Sequence, residues 1–196
     1  MLTLLASLVI ARPLLLAHFM PWHQTKSYSG QWGWHWTMNH YDPDAKGDDG
    51  RQQLASKFRP LIGAYDASDP DAIECQVLQM KLAGIDGVLI DWYGTTDLYD
   101  YLQINRNTQL TIQACERVGL QYGIVLEDQV VNPLVKAGKA TPESYLTTAL
   151  QFLCADWFKR PSYLRWQGKP IMLIFGPQFY KDANLEKYFD KSIALL

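Results

Sequence analysis

The sequence predicts an α/β protein with a (β/α)₈ TIM barrel fold, of which about the first four β/α units are present in this chain. Short apolar runs that suit buried strands alternate with segments of helical periodicity, and this order is typical of parallel β-α-β units. No Gly-x-Gly-x-x-Gly or Walker sequence follows any of these runs, which disfavours a nucleotide-binding sheet. A complete barrel has eight strands and typically about 250 residues, whereas this chain of 196 residues offers four candidate strands.

The elements follow from local patterns. Four apolar runs predict strands at residues 14–19, 85–93, 121–127 and 171–175. Three segments of helical spacing begin near Asp69, before Leu110 and at Thr141, and Gly84 and Gly119 end the first two. Their apolar positions are Ile73, Val77 and Met80, then Leu110, Ala114 and Val118, then Leu146, Ala149, Leu150, Leu153 and Trp157.

A long irregular segment separates the first strand from the first of these helices. Residues 22–69 are rich in Gly, Asp, Pro, Ser and aromatic side chains, without sustained periodicity. Loops of this length inside a compact domain are usually functional. We therefore expect this segment to contribute to a site.

The composition restricts the partners. The formal net charge is −2, and no block of Lys and Arg supplies the electrostatic footprint that nucleic acid or anionic lipid requires. No apolar stretch is long enough to span a membrane. The three cysteines, Cys75, Cys115 and Cys154, lie far apart within helical patterns, which predicts reduced packing residues.

Residues 1–11 form a short apolar run. This run is compatible with a signal-like segment, which would favour a secreted or periplasmic location, and also with an N-terminal extension of a cytoplasmic protein. Residues 12–196 are expected to form the N-terminal half of a (β/α)₈ barrel.

The candidate site residues lie where each strand ends, because barrel active sites lie at the carboxyl ends of the strands. Polar groups beside flat aromatic faces suit a sugar. The predicted substrate-binding residues are His18, Trp22, Trp34, His35, Trp36, Asp91, Trp92, Tyr93 and Glu127.

Each of these residues also has a structural interpretation. His18 would be a core histidine, the tryptophans a cover for the barrel mouth, and the carboxylates helix caps, whereas Asp128 is expected to be structural. The scattered His, Asp and Glu residues lack metal-ligand spacing, so neither a metal nor a cofactor is expected.

Several motifs together resemble a known group of enzymes. They are Leu-Ala-His-Phe-Met-Pro-Trp at 16–22, Gly-Trp-His-Trp at 33–36, Asp-Pro-Asp at 69–71, Met-Lys-Leu-Ala-Gly-Ile-Asp-Gly at 80–87, Asp-Trp-Tyr-Gly at 91–94 and Gly-Lys-Pro at 168–170. The sequence is similar to glycoside hydrolase families 71 and 99, which contain fungal α-1,3-glucanases and endo-acting α-mannosidases and α-mannanases. The resemblance implies a barrel that hydrolyses α-linked mannosides or glucosides, in which Trp22, Trp92 and Glu127 line sugar subsites.

The sequence also departs from this pattern. His23 stands where the family often has tyrosine, and Asp128 and Gln129 stand where the mannosidases tend to have Pro-Tyr. The resemblance places the catalytic pair of family 99 in an Asn-Glu-Trp-x-Glu-like motif on a late strand, and that pair is expected beyond Leu196.

Three functional hypotheses remain open at this point. The chain is expected to be an incomplete catalytic domain of an endo-acting α-glycosidase without turnover of its own, with Glu127 as its candidate acid or base. The alternatives are a non-catalytic carbohydrate-binding protein and a polysaccharide-assembly protein of the same fold. The isolated chain is expected to self-associate, because a half-barrel leaves strand edges unpaired.

Overall fold

The structure is a computed structural model that describes residues 12–180. The apolar run at residues 1–11 lies outside the described residues. In chain order, the helices and strands are β1 (Leu16–Phe19), α1 (Lys26–Ser29), α2 (Trp34–Thr37), α3 (Pro70–Leu82), β2 (Gly87–Trp92), α4 (Tyr101–Val118), β3 (Gln121–Glu127), α5 (Val131–Lys136), α6 (Pro142–Ala155), β4 (Arg165–Trp166), β5 (Lys169–Pro170) and β6 (Met172–Phe175).

The four predicted strands form one parallel sheet in the order β1-β2-β3-β6. Side chains alternate between the faces of a strand, and Val88, Ile90 and Trp92 of β2 are fully buried on the helix-covered face. The opposite face is concave, because the rings of His18 on β1 and Phe175 on β6 lie 5.6 Å apart although two strands separate them. The predicted α/β class with a parallel sheet is confirmed.

Helices α3 and α6 begin where the sequence predicts. The Asp69 side chain accepts a hydrogen bond from the backbone N–H of Asp71, and Pro70 occupies the first turn of α3. Thr141 and Ser144 form a capping box at the start of α6. The predicted apolar face of α6 is buried against the sheet.

Helix α4 buries Ala114 as predicted, but its buried face differs from the rest of the predicted stripe and includes polar residues. Leu110 and Val118 are only partly buried, whereas Asn107, Thr108 and Thr111 are completely buried. The threonine hydroxyls donate to backbone carbonyls one turn earlier, and the Asn107 amide donates to the Pro21 carbonyl. These bonds satisfy the polar groups, so apolar periodicity alone did not identify the buried face.

One buried carboxylate, Asp66, joins the two ends of the long segment at residues 22–69. Asp66 accepts hydrogen bonds from the backbone N–H groups of Thr25 and Ser68 and from the Ser29 hydroxyl. The two ends of the loop are thereby joined, and α1 and α2 are held between them. This anchoring fixes the position of the aromatic residues in α2.

Two short features were not predicted. After β3 the chain continues through a 3₁₀ turn at Asp128–Val130 into α5. Before β6, β4 and β5 form an antiparallel hairpin, whose turn residues Gln167 and Gly168 both have positive φ. Such turns match the twist of paired strands. The three cysteines are free, as expected.

Candidate functional site

The carboxyl ends of β2 and β3 bring three predicted site residues onto one face. Asp91 of β2 is in register with Val125 of β3. Because alternate residues share a face, Asp91, Tyr93 and Glu127 all point to the concave side. The two carboxylates therefore lie beside each other at the mouth of the sheet.

Asp91 is a buried carboxyl group with an unsatisfied oxygen. Its exposed fraction is 1%, and its Oδ1 atom has no hydrogen-bond partner among residues 12–180. Burial, reinforced by the negative charge of Glu127, raises the pKa of Asp91 to about 7. Asp91 thus exchanges its proton close to neutral pH, as an acid or a base in an active site must.

Glu127 is held by its surroundings at the end of β3. Its Oε1 atom accepts a hydrogen bond of 3.0 Å from the Gln129 N–H, and the Tyr145 hydroxyl donates to its carbonyl oxygen. Burial, with a smaller contribution from Asp128, raises the pKa of Glu127. The Tyr145 ring packs closely against Gly94. A Cβ atom added at position 94 would lie only 2.9 Å from that ring.

Aromatic rings continue the surface from these carboxylates towards the loop after β1. The ring centroids of Tyr93 and Trp22 are 6.2 Å apart, and Tyr101 meets Tyr93 edge to face at 5.2 Å. Burial and the charges of Asp91 and Glu127 raise the pKa of Tyr93. The Tyr93 hydroxyl therefore remains protonated and can act as a hydrogen-bond donor.

Trp22 stacks on His35, a second predicted site residue. Their ring centroids are 4.2 Å apart and their planes differ by 2°. The Nε2 atom of His35 lies 3.6 Å from Oδ2 of Asp100, in the loop before α4. His35 is 7% exposed, so the neighbouring rings cover most of its surface.

The remaining residues of the aromatic loop divide into a buried and an exposed group. Trp36 is buried, and its indole N–H donates to the Tyr65 carbonyl. His23 packs against Trp36 at 4.0 Å, and burial lowers its pKa to about 3, so its imidazole is neutral. Trp34 is 52% exposed and meets His35 edge to face.

His18 lies on the concave face of β1 and is solvent-exposed. Together with Trp22, His23 and Tyr65 it lines a pocket of about 540 Å³, which extends to α3. Its position is therefore lateral to the carboxylates and beside the outer edge of β1.

Trp92, like the buried Trp36, is a predicted site residue that the structure does not place on the concave surface. It is 0% exposed, and its ring contacts Phe152 and Trp157 on the helix-covered side of the sheet. Its indole N–H donates to Asn105 of α4. Alternation along β2 accounts for this position, since Asp91 and Tyr93 face the concave side and the residue between them faces the helices.

Three residues of the site region were not singled out from the sequence. Asp100, Tyr101 and Tyr145 all come from helix starts or helix interiors, where sequence patterns indicate capping or packing. The expected structural role of Asp128 agrees with its contacts, because its Oδ2 atom accepts from the backbone N–H groups of Gln178 and Phe179. Within residues 12–180, no cluster of three or more His, Cys, Asp and Glu side chains could hold a metal ion. None of the helices described there has the length and hydropathy required to cross a membrane.

Comparison with known proteins shows that the sequence of this chain is similar to those of enzymes. The family model described as Glycosyl hydrolase family 99 matches residues 12–194. Among curated proteins, the glycoprotein endo-alpha-1,2-mannosidase of Rattus norvegicus is 29% identical over 86 residues, which are 39% of this chain and 18% of that protein. The enzyme of the same description from Mus musculus is 28% identical over 88 residues, or 40% of this chain and 19% of that protein.

Solved structures give the same relationship at the level of the fold. The GH99 endo-alpha-mannosidase of Bacteroides thetaiotaomicron, in complex with BIS-TRIS-propane, superimposes with a TM-score of 0.58 at 20% identity. That superposition covers 82% of this chain and 41% of the solved one. A second structure of the same enzyme gives a TM-score of 0.58 at 19% identity, and the superposition covers 44% of that solved chain. The described strands and helices are thus part of the predicted (β/α)₈ barrel, and the chain spans less than half the length of these relatives.

Proposed function

We propose, from the premise that this chain belongs to glycosyl hydrolase family 99, that its concave face binds α-linked mannosides as part of an endo-acting α-glycosidase. Asp91, Tyr93 and Glu127 supply the hydrogen-bonding groups, and Trp22 supplies a flat apolar surface for a sugar ring. The relatives named above are endo-α-mannosidases, which favours mannose over glucose in the bound sugar.

The single observation that carries this proposal is the unsatisfied oxygen of Asp91 beside Glu127. A buried polar atom without a partner costs about 1–3 kcal/mol, and a sugar hydroxyl placed between the two carboxyl groups removes that cost. One hydroxyl both donates and accepts, so it can donate to ionised Glu127 while it accepts from protonated Asp91.

Aromatic rings complete a sugar-binding arrangement. Trp22 and Tyr93 lie side by side next to the carboxylates, and sugars present C–H faces that pack on such rings. Most ligand pockets likewise combine apolar walls with a few polar groups that fix orientation. Trp34, exposed at the periphery, and His18, beside the edge of β1, are placed to contact a longer oligosaccharide.

Bond cleavage requires two groups that flank the scissile bond. The Asn-Glu-Trp-x-Glu-like motif to which the resemblance assigns them does not occur in these 196 residues. We therefore expect binding without turnover from this chain by itself, with Asp91 and Glu127 as binding groups. Clear hydrolysis by the chain that Glu127→Gln abolishes would instead make Glu127 a catalytic acid or base.

The test is calorimetric titration of the full chain with α-1,2-mannobiose at pH 7. We expect binding that Glu127→Gln and Asp91→Leu each weaken by about tenfold, because one charge-assisted or buried hydrogen bond contributes about 1.5 kcal/mol. Glu143→Gln changes an exposed carboxylate in the first turn of α6 and is the matched control. Equal affinities of all four proteins would contradict the proposal.

Carbohydrate binding without cleavage is the second candidate function. The carboxylates and aromatic rings of the concave face suit the binding of a sugar whether or not cleavage follows. Incubation of the chain with α-mannan and α-1,3-glucan, followed by analysis of released oligosaccharides, separates the two functions.

A further inference from the structure

The contact between Trp22 and His35 links two loops of the barrel. His35 belongs to α2 in the loop after β1, and Asp100 belongs to the loop between β2 and α4. The His35 imidazole is parallel to the Trp22 indole, with 4.2 Å between the ring centroids. Its Nε2 atom lies 3.6 Å from Oδ2 of Asp100.

The backbone fixes the positions of both His35 and Asp100. Helix α2 is anchored where the Ala55 N–H donates to the Trp36 carbonyl and the Gly33 N–H donates to the Gln24 carbonyl. Asp100 follows Tyr99, whose φ of 51° sets a sharp change of chain direction before α4. His35 thus has little freedom, and neither has the indole that lies against it.

His35 is poorly placed to contact a sugar itself. Its side chain is 8% exposed, and one of its faces is occupied by Trp22, while Trp34 meets it edge to face at 5.0 Å. Trp22, in contrast, is only partly buried and faces Tyr93 at the carboxylate end of the site. This difference in exposure separates the two roles.

We propose that His35 and Asp100 are positioning residues, which hold the Trp22 indole in the orientation that forms the apolar surface of the sugar site. Asp100 acts through His35, because its carboxylate orients the imidazole, and the imidazole orients the indole. The inference rests on the proposed function only where it states that Trp22 contacts a sugar. The orientation of Trp22 itself is a property of the free protein. His35, predicted from sequence as a substrate-binding residue, thus has an indirect role.

The physical reason is entropic as well as geometric. An indole that must be ordered when the sugar binds loses side-chain freedom at that moment, which weakens affinity by about twofold to tenfold per side chain. A parallel ring contact restricts the indole before binding.

The orientation is measured in the free full chain by NMR with [ε1-¹³C]histidine, since the chain has four histidines. The His35 resonance, identified by its loss in His35→Phe, is displaced upfield by the ring current of Trp22. We expect Trp22→Leu to abolish this displacement and Asp100→Asn to reduce it. Asp97→Asn changes the charge of an exposed residue in the same loop and should leave it unchanged.

Affinity for α-1,2-mannobiose provides the second readout. Asp100→Asn and His35→Leu should each weaken binding by about twofold to tenfold, whereas His35→Phe, which retains a flat ring, should restore most of the affinity. In the His35→Phe background, Asp100→Asn should have no further effect, because a residue that acts through His35 is coupled to it.

The outcomes separate this inference from the proposed function. An unchanged His35 displacement in Asp100→Asn, or additive effects of the two substitutions on affinity, overturns the positioning role while Trp22 can still bind sugar. Affinity that Trp22→Leu leaves intact overturns Trp22 as a sugar contact, although the histidine spectra still report whether Asp100 and His35 fix the indole.

Discussion

Asp91 and Glu127 end neighbouring parallel strands with their side chains on the same concave face, and the charge of Glu127 adds to burial in raising the pKa of Asp91 to about 7. The pair therefore holds one negative charge more readily than two. In a sugar site, the protonated member donates a hydrogen bond and the ionised member accepts one. Both properties come from the same placement, because the strands that bury Asp91 also bring Glu127 beside it.

The first prediction concerns the pH dependence of stability. The folded protein holds the Asp91 proton up to about pH 7, whereas the unfolded chain releases it near the ordinary aspartate pKa of 3.8. The folded state binds more protons in this window, so the contribution of Asp91 to the free energy of unfolding falls as the pH rises from about 4 to about 7. Asp91→Asn should therefore stabilise the protein at pH 8, on the order of 2–4 kcal/mol, and change its stability little at pH 4.

Urea unfolding of both proteins at pH 4 and pH 8 measures this difference. Asp97→Asn controls for the loss of an exposed carboxylate and should give the same small difference at both values. Glu127→Gln, which removes the neighbouring charge, should reduce the effect of Asp91→Asn. A difference between wild type and Asp91→Asn that is equal at pH 4 and pH 8 would show that Asp91 titrates normally.

The second prediction contrasts two adjacent residues of the Asp-Trp-Tyr-Gly motif. Trp92→Phe removes volume from the helix-covered core and leaves Asn105 without its indole partner, so it should lower the free energy of unfolding by about 1–3 kcal/mol. Affinity for α-1,2-mannobiose should not change. Tyr93→Phe should have the opposite profile, with little loss of stability and weaker sugar binding.

Calorimetric titration together with urea unfolding of the two variants decides this prediction. Weaker sugar binding by folded Trp92→Phe would support a subsite role for Trp92, contrary to its buried position.

These residues show how far the sequence determines the fold and the site. The bounds of β3, Gln121–Glu127, were predicted to the residue, since a helix-ending glycine at 119 and a carboxylate at 127 leave little choice. Because barrel active sites lie at the carboxyl ends of the strands, the sequence predicted that Asp91, Tyr93 and Glu127 lie together. Trp92 was grouped with them because the motif was treated as a unit, although alternation along the strand already separates it from its neighbours.

Other features depend on contacts that no local pattern records. The buried face of α4 includes Asn107, Thr108 and Thr111 beside apolar residues. Burial of the two threonines is possible because each hydroxyl donates to a carbonyl in the preceding turn. The role of Asp100 depends on His35, which lies 65 residues earlier in the chain. Such a pair becomes visible only when the two loops are placed together.

The last prediction concerns self-association. Within the described residues, β1 and β6 each pair with another strand on one side only, and unpaired strand edges are templates for pairing with other chains. Leu173 and Phe175 of β6 add apolar surface, with exposed fractions of 41% and 46%. We therefore expect the 196-residue chain to form concentration-dependent dimers or larger species in sedimentation velocity experiments.

Charges directed onto the concave face should suppress this association, because a lysine on a strand disfavours the approach of a second sheet. Leu173→Lys combined with Phe175→Lys should shift the chain towards monomer at a given concentration. Leu82→Lys adds one charge at the exposed end of α3, where Leu82 is 87% exposed, and should shift it less. If Leu82→Lys disperses the protein as well as the double substitution does, net charge rather than the sheet edge governs association, and a wild-type chain that stays monomeric throughout would show that neither edge is available for pairing.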